Sequence, residues 1–344
     1  NNKFIFLSKF NVAASVIQAV FTFFFVMLYG YKGVLYALIA TAIIGIAFIF
    51  IRTDEKIRFS IWIDIKELAR LLKVGFPLFL YDIVRTFFLT IDRMIILIFL
   101  GREAMGLYSI GILAYNFLTP LPRGVYNVIF PKFYEEYGKT EDILKIKHYL
   151  VKPTMVFAYL FPLVVGVGTV LLPILVKYVL PQYTKGLMAA HILIVSTFFY
   201  SLLFMWGYFL IAVYKQSKMV LFNLIAVALN ACFSFVYVKV CKMGINGVAL
   251  STLTSNFILS VMIICYVFSF YTKSARLHFC FLSKLYFPIL WMMLVISFMR
   301  HFYYYNYASL SGDILHAFSM VGVLLLCHLP LVYYLNRQTG IVAI

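Results

Sequence analysis

The stretch GFPLFLYDIVRTFFLTIDRMIILI, Gly75–Ile98, decides the fold. As a helix it rises about 36 Å, enough to cross a hydrocarbon core of about 30 Å. It is apolar except for a few polar positions, four of them charged: Asp82, Arg85, Asp92 and Arg93. At 100° per residue these four fall within a stripe about 100° wide. A helix with one charged stripe turns it towards a partner helix or a water-filled cavity. Lipid exposure would cost about 2.5–3.5 kcal/mol per charge. Arg85 lies ten residues past Gly75, about 15 Å along the helix and close to mid-membrane. Two readings stand side by side: a charged cavity wall, or a self-paired cluster in which Asp82 and Arg85 sit three residues apart and the four charges cancel.

Working outward, nine further apolar blocks have similar character. With the first they cover residues 10–28, 34–51, 75–98, 106–130, 153–176, 188–213, 219–238, 247–270, 285–299 and 314–335. The block at 285–299 is short and interrupted by Pro288. Over the 344 residues, 64% are hydrophobic and only 12% charged, with a mean hydropathy of +0.99. Soluble domains keep about a quarter of their residues charged. In lipid every backbone polar group needs an internal partner, so the blocks are predicted to be helices. The chain reads as an all-α polytopic membrane protein of about ten transmembrane helices.

The net charge of +17 does not indicate nucleic acid, because the basic residues sit in short segments between apolar blocks. With the start of the chain inside, inside segments hold 19 Lys/Arg and outside segments 7. The positive-inside rule then places both ends in the cytoplasm. The five cysteines are scattered without metal-ligand spacing, which points to packing.

Residues 64–73 place Ile65, Leu68, Leu71 and Leu72 on one face and charges on the other, the pattern of an interfacial helix. It serves as a link, at 53–74, between residues 1–52 and a six-helix lobe at 75–271; residues 272–344 add two helices. A faint repeat supports this division. Ser8-Lys9 precedes Gly30-Tyr31-Lys32-Gly33-Val34 much as Ser217-Lys218 precedes Gly244-Ile245-Asn246-Gly247-Val248. Internal repeats are common in secondary transporters. Residues 1–52 would then be the last two helices of an earlier lobe whose first four are missing. The start at Asn1-Asn2 without Met suits that expectation.

Within the block at 106–130, Pro120 and Pro122 are expected to bend the helix. Asn116 and Arg123 flank the bend; Arg123 either joins the cavity or snorkels to the headgroups. Asn223, Asn230 and Asn256 read as interhelical hydrogen bonds, and His191 as a satisfied lone histidine. The runs Phe302-Tyr303-Tyr304-Tyr305 and Tyr333-Tyr334 suit an interfacial aromatic belt. The sequence holds no GxxxxGK[ST] loop, no HExxH and no Ser or Cys nucleophile paired with a plausible His. An enzyme is not expected, and no cofactor or metal is called for.

Several stretches together resemble a known family. Gly75-Phe76-Pro77, Asp92-Arg93, Leu100-Gly101 and Gly106-Leu107-Tyr108-Ser109 look like the seventh and eighth helices of polysaccharide flippases. These are the Wzx-like members of the multidrug/oligosaccharidyl-lipid/polysaccharide (MOP) exporter superfamily. Phe130-Pro131-Lys132, Leu180-Pro181-Gln182-Tyr183 and Gly244-Ile245-Asn246-Gly247 fit the same order and spacing. The resemblance implies an architecture like that of multidrug and toxin extruders, with two lobes around a central cavity and alternating access. It implies a bacterial cytoplasmic-membrane protein that moves undecaprenyl-pyrophosphate-linked oligosaccharide from the inner to the outer leaflet. Membrane lipids surround it, and a polysaccharide polymerase and chain-length proteins are implied as partners. A pyrophosphate crossing a low-dielectric region needs fixed cations, and Arg is the better bidentate ligand. Arg85, Arg93 and Arg123 are the candidate cations, with Asn116 beside them. Asp82 and Asp92 either hold the arginines or bind a coupling cation, H+ or Na+.

Other readings differ in cargo or class. A lipid II flippase shares the pyrophosphate problem. A drug extruder moves cations, which three arginines against two aspartates receive poorly. A glycan polymerase would expose a large outside loop, and the outside segments here are all short.

Overall fold

The computed structural model describes residues 2–52, 65–302 and 310–339. Among these residues all regular structure is helical, with eleven α-helices, one 3-10 turn, one π-helical turn and no strand. Two compact units divide between Leu68 and Ala69.

The first unit is built on a hairpin of α1 (Asn2–Tyr29) and α2 (Tyr31–Arg52). Gly30 turns the chain with φ 57°, a left-handed value that suits glycine. A Cβ on Gly33 would strike the Phe25 carbonyl of α1, so only glycine lets the helices approach this closely. The repeat seen in sequence has a counterpart in geometry. Gly244 has φ 56°, and a Cβ on Gly247 would come within 2.9 Å of Tyr237 in the preceding π-helical turn. In both places the first glycine supplies the turn and the second the close contact.

The remaining helices are α3 (Ile65–Phe99), α4 (Gly101–Leu118), α5 (Pro120–Thr140), α6 (Lys147–Val179), α7 (Leu187–Ala212), α8 (Gln216–Phe235), α9 (Gly244–Phe268), α10 (Ala275–Phe302) and α11 (Leu310–Thr339). Eight helical segments, 65–99, 101–140, 147–179, 181–212, 216–240, 244–268, 275–299 and 310–335, are long and apolar enough to cross a membrane. The apolar stretches Ala13–Tyr29 and Tyr31–Ala47 of α1 and α2 are shorter. The chain is an all-helical, multi-pass membrane protein.

Several boundaries differ from the sequence reading. From Ile65 on the amphipathic stretch is continuous with the helix that follows, forming the opening turns of α3, which runs on through Gly75 and Pro77. Proline removes one backbone donor but is tolerated where other groups take up the freed carbonyl. α5 and α6 likewise extend into the charged segment between their apolar blocks, to Thr140 and from Lys147. Pro288 does not break α10, which runs from Ala275 to Phe302. The block at 106–130 is interrupted where the prolines stand: α4 ends at Leu118 and α5 starts at Pro120, with Thr119 between them still at helical torsions (φ −64°, ψ −27°). Residues 53–64 of the predicted linker and Tyr303–Tyr305 of the aromatic run lie outside the described residues. Tyr333 and Tyr334 are exposed near the end of α11.

α7 is the hub of the second unit and packs on α4, α6 and α9. Small or polar buried residues stand in its contact with α9, among them Ala189 and Ser196 of α7 and Ala249 and Asn256 of α9. Lipid tails are as apolar as leucine, so helix association rests on close approach and hydrogen bonds. Asn256 donates to Ser196 Oγ across this contact at 2.8 Å. Gly111 of α4 lies against α7, where a Cβ would come within 3.1 Å of the Ala190 Cα. α10 and α11 pack on α6, and Lys177 of α6 pairs with Asp313 of α11.

Candidate functional site

α3 behaves differently from α7. Val84, Phe88, Ile91 and Ile95 recur at helical spacing and are buried against the unit, whereas Phe79, Ile83, Phe87 and Met94 are exposed. Little of its backbone lies close to another helix, and long side chains bridge the gap. Two chambers occupy that space, one beyond the other along the helix.

The first chamber, about 380 Å³, is lined on α3 by Arg85, Thr86, Thr90, Asp92 and Arg93. Across from them stand Tyr115, Asn116, Thr119 and Arg123 of the α4–α5 junction, Tyr200 and Phe204 of α7, and Thr252 and Asn256 of α9. The second, about 340 Å³, lies towards the start of α3, between Tyr81, Asp82, Arg85 and Arg123 and the α7–α8 residues Tyr208, Met219 and Asn223. Arg85, Arg123, Tyr200 and Phe204 border both. Both volumes are in the range of small-ligand sites, roughly 300–1,000 Å³.

At the junction Arg85 Nε donates to the Tyr200 hydroxyl at 3.1 Å. Its Nη1 is 3.7 Å from Asp82 Oδ1, a long pair whose side chains are 28% and 73% exposed. Asp92 is only 8% exposed. Its oxygens accept from the Arg93 backbone N–H at 2.8 Å and from the Tyr108 hydroxyl of α4 at 3.0 Å. Asp92 therefore fastens α3 to α4 and pairs with no guanidinium. Among the described residues neither Arg93 nor Arg123 has an ion-pair partner, and Arg93 Nε is buried without a hydrogen bond. A buried donor without a partner costs about 1–3 kcal/mol, which a bound anion would offset.

The six residues singled out from sequence thus meet around one space. Arg85, Arg93, Arg123, Asp92 and Asn116 line the first chamber, and Asp82 lines the second. The four charges of the 75–98 stripe do not form a closed cluster: among the described residues Asp82 and Arg85 make the one ion pair of the stripe. Arg123, in the first turn of α5, lines both chambers. The other side of α5 shows what an apolar groove looks like here: Leu121, Val125 and Ile129 face α6 across a hollow of about 690 Å³.

The aromatic side of the chambers was not foreseen. Tyr81, Tyr200, Phe204 and Tyr208 sit in apolar blocks, where sequence alone does not separate a chamber wall from a lipid contact. Of the three asparagines, Asn256 and Asn230 bond across helices, the latter to Thr252 at 3.5 Å. Asn223 instead donates to Met219 O on its own helix at 2.9 Å. His191 Nε2 lies 3.2 Å from the Thr169 carbonyl oxygen, in keeping with a satisfied histidine.

A multi-pass helical membrane protein with a cation-lined polar chamber is the class that fold and site define. Residues 1–185 match the family described as Polysaccharide biosynthesis protein. The match spans more than half of the chain, and the chain belongs to that family. No curated protein and no solved structure matches it.

Proposed function

We propose that this chain is a flippase, Wzx-like and of the MOP superfamily, that carries a polyprenyl-pyrophosphate-linked oligosaccharide from the inner to the outer leaflet of the bacterial cytoplasmic membrane. The observation that carries this reading is the placing of Arg85, Arg93 and Arg123 around adjoining chambers, where two of the three make no ion pair among the described residues. A dianionic pyrophosphate is the group such a set receives: each guanidinium presents planar paired donors and stays charged at any physiological pH. Family membership supports a role in polysaccharide synthesis, and the many apolar helices favour transport over catalysis. Cationic cargo is disfavoured by the same arginines. Asp92, held by two hydrogen bonds, serves chamber architecture in this reading, and coupling to H+ or Na+ stays open between it and Asp82. The excess of Lys/Arg in the segments assigned to the inside supports cytoplasmic ends. A polymerase and chain-length proteins would take the product on the far side.

The test is surface polysaccharide in cells that depend on this gene. Arg85→Ala at normal protein level is expected to lower surface glycan about tenfold or more, the loss of one strong charge-assisted contact. Arg85→Lys is expected to recover part of it. Normal export by both variants would remove Arg85 from the site.

A further inference from the structure

The two chambers differ in chemistry, and the difference assigns them different parts of one ligand. In the first, the carboxylate is spent, since Asp92 already accepts two hydrogen bonds, and the acceptors left over are the neutral Asn256 Oδ1 and Tyr115 hydroxyl. In the second, the acceptors left over include a carboxylate. Asp82 makes only the 3.7 Å pair with Arg85, and Asn223 uses its Nδ2 on Met219 O, which leaves Oδ1 to accept. Aromatic rings wall the same space. Tyr200 and Phe204 meet edge to face at 5.5 Å, and Tyr208 rests against Phe130 at 4.1 Å, so the rings are held in place from behind.

We propose that the second chamber is a sugar subsite, in which Tyr81 and Tyr208 stack on a pyranose face and Asp82 and Asn223 accept from its hydroxyls. A sugar ring has an apolar C–H face and a rim of O–H donors. Ring walls with free acceptors beside them complement both. Other occupants fit worse. A hydrocarbon chain would leave Asp82, Asn223 and the tyrosyl hydroxyls unpaired, and a second phosphate would meet the carboxylate of Asp82. The position also suits the cargo: Arg85 and Arg123 border both chambers, so a pyrophosphate held there has its first sugar within reach of the rings. This assignment rests on the flippase reading for the identity of the ligand, and on the second chamber alone for where the sugar lies.

The test compares two probes on the purified full chain in lipid nanodiscs: geranylgeranyl pyrophosphate, and the same lipid pyrophosphate bearing one N-acetylhexosamine. Wild type is expected to bind the glycosylated probe about tenfold more tightly, the size of one well-made stacking contact. Tyr208→Ala and Tyr81→Ala are expected to erase that preference while still binding the bare probe, which also reports that they are folded. Tyr208→Phe, which keeps the ring, is expected to retain it. Arg123→Ala is expected to weaken both probes alike. Equal affinity of wild type for the two probes overturns the sugar subsite, as does a preference that survives both alanine variants. If Arg123→Ala and Arg85→Ala bind the bare probe normally while Tyr208→Ala still loses the preference, the pyrophosphate assignment fails and the sugar subsite stands.

Discussion

The contact between α7 and α9 and the face of α3 both place polar side chains deep in an apolar unit, and they use them in opposite ways. Between α7 and α9 the helices are close, and one polar pair closes on itself across the contact. Asn256 donates to Ser196 Oγ at 2.8 Å, with both side chains fully buried. Along α3 the helices stand apart, and Arg93 and Arg123 line a chamber with no ion-pair partner among the described residues. A polar group in a membrane helix is thus glue where small residues let backbones meet, and a ligand contact where they do not. Asn256 belongs to both regions, bonded across the seam and lining the first chamber.

That contrast breaks most readily at close packing. Gly111→Leu would push a side chain into Leu193 and the Ala190 backbone, and backbone cannot yield as a side-chain end can. A loss on the order of 3 kcal/mol is expected, the upper part of the range for overpacking, read as a lower thermal midpoint of the purified protein. Ser196→Ala removes one seam hydrogen bond and is expected to cost about 0.6 kcal/mol, with surface polysaccharide close to normal. Arg123→Ala sharpens the comparison from the other side. Its side chain is exposed to the chambers, so stability is expected to stay within about 0.5 kcal/mol while surface polysaccharide falls strongly. A large stability loss in Arg123→Ala with normal export would make it glue after all.

How much of this was legible in the sequence depended on whether the signal was local. Apolar blocks of membrane-spanning length located the helices, since hydropathy averages over many residues. The α3 stripe was legible because helical geometry turns spacing into direction, and Pro120 and Pro122 announced the interruption at Thr119. Helix ends were less legible: charged turns such as 65–73 continue a helix as readily as they leave one, and hydropathy records only the apolar part. Partners far apart in the chain were not legible. Tyr200 lies 115 positions from Arg85, and nothing around it in α7 separates it from the buried Phe198 and Phe199. Tyr108 had been noticed within Gly106-Leu107-Tyr108-Ser109, but its bond to Asp92 depends on how α3 and α4 pack.

The most direct measurement asks whether the α3 face meets water and an anionic lipid head. In a version with the five cysteines replaced, Thr90→Cys on the chamber side and Ser196→Cys in the seam are treated with a small anionic thiosulfonate, with and without geranylgeranyl pyrophosphate. Thr90→Cys is expected to react and to be protected by the lipid pyrophosphate, and Ser196→Cys to stay unreacted throughout. Equal silence at both positions, or reaction at Thr90→Cys that the pyrophosphate leaves unchanged, would contradict a cation-lined chamber built to receive it.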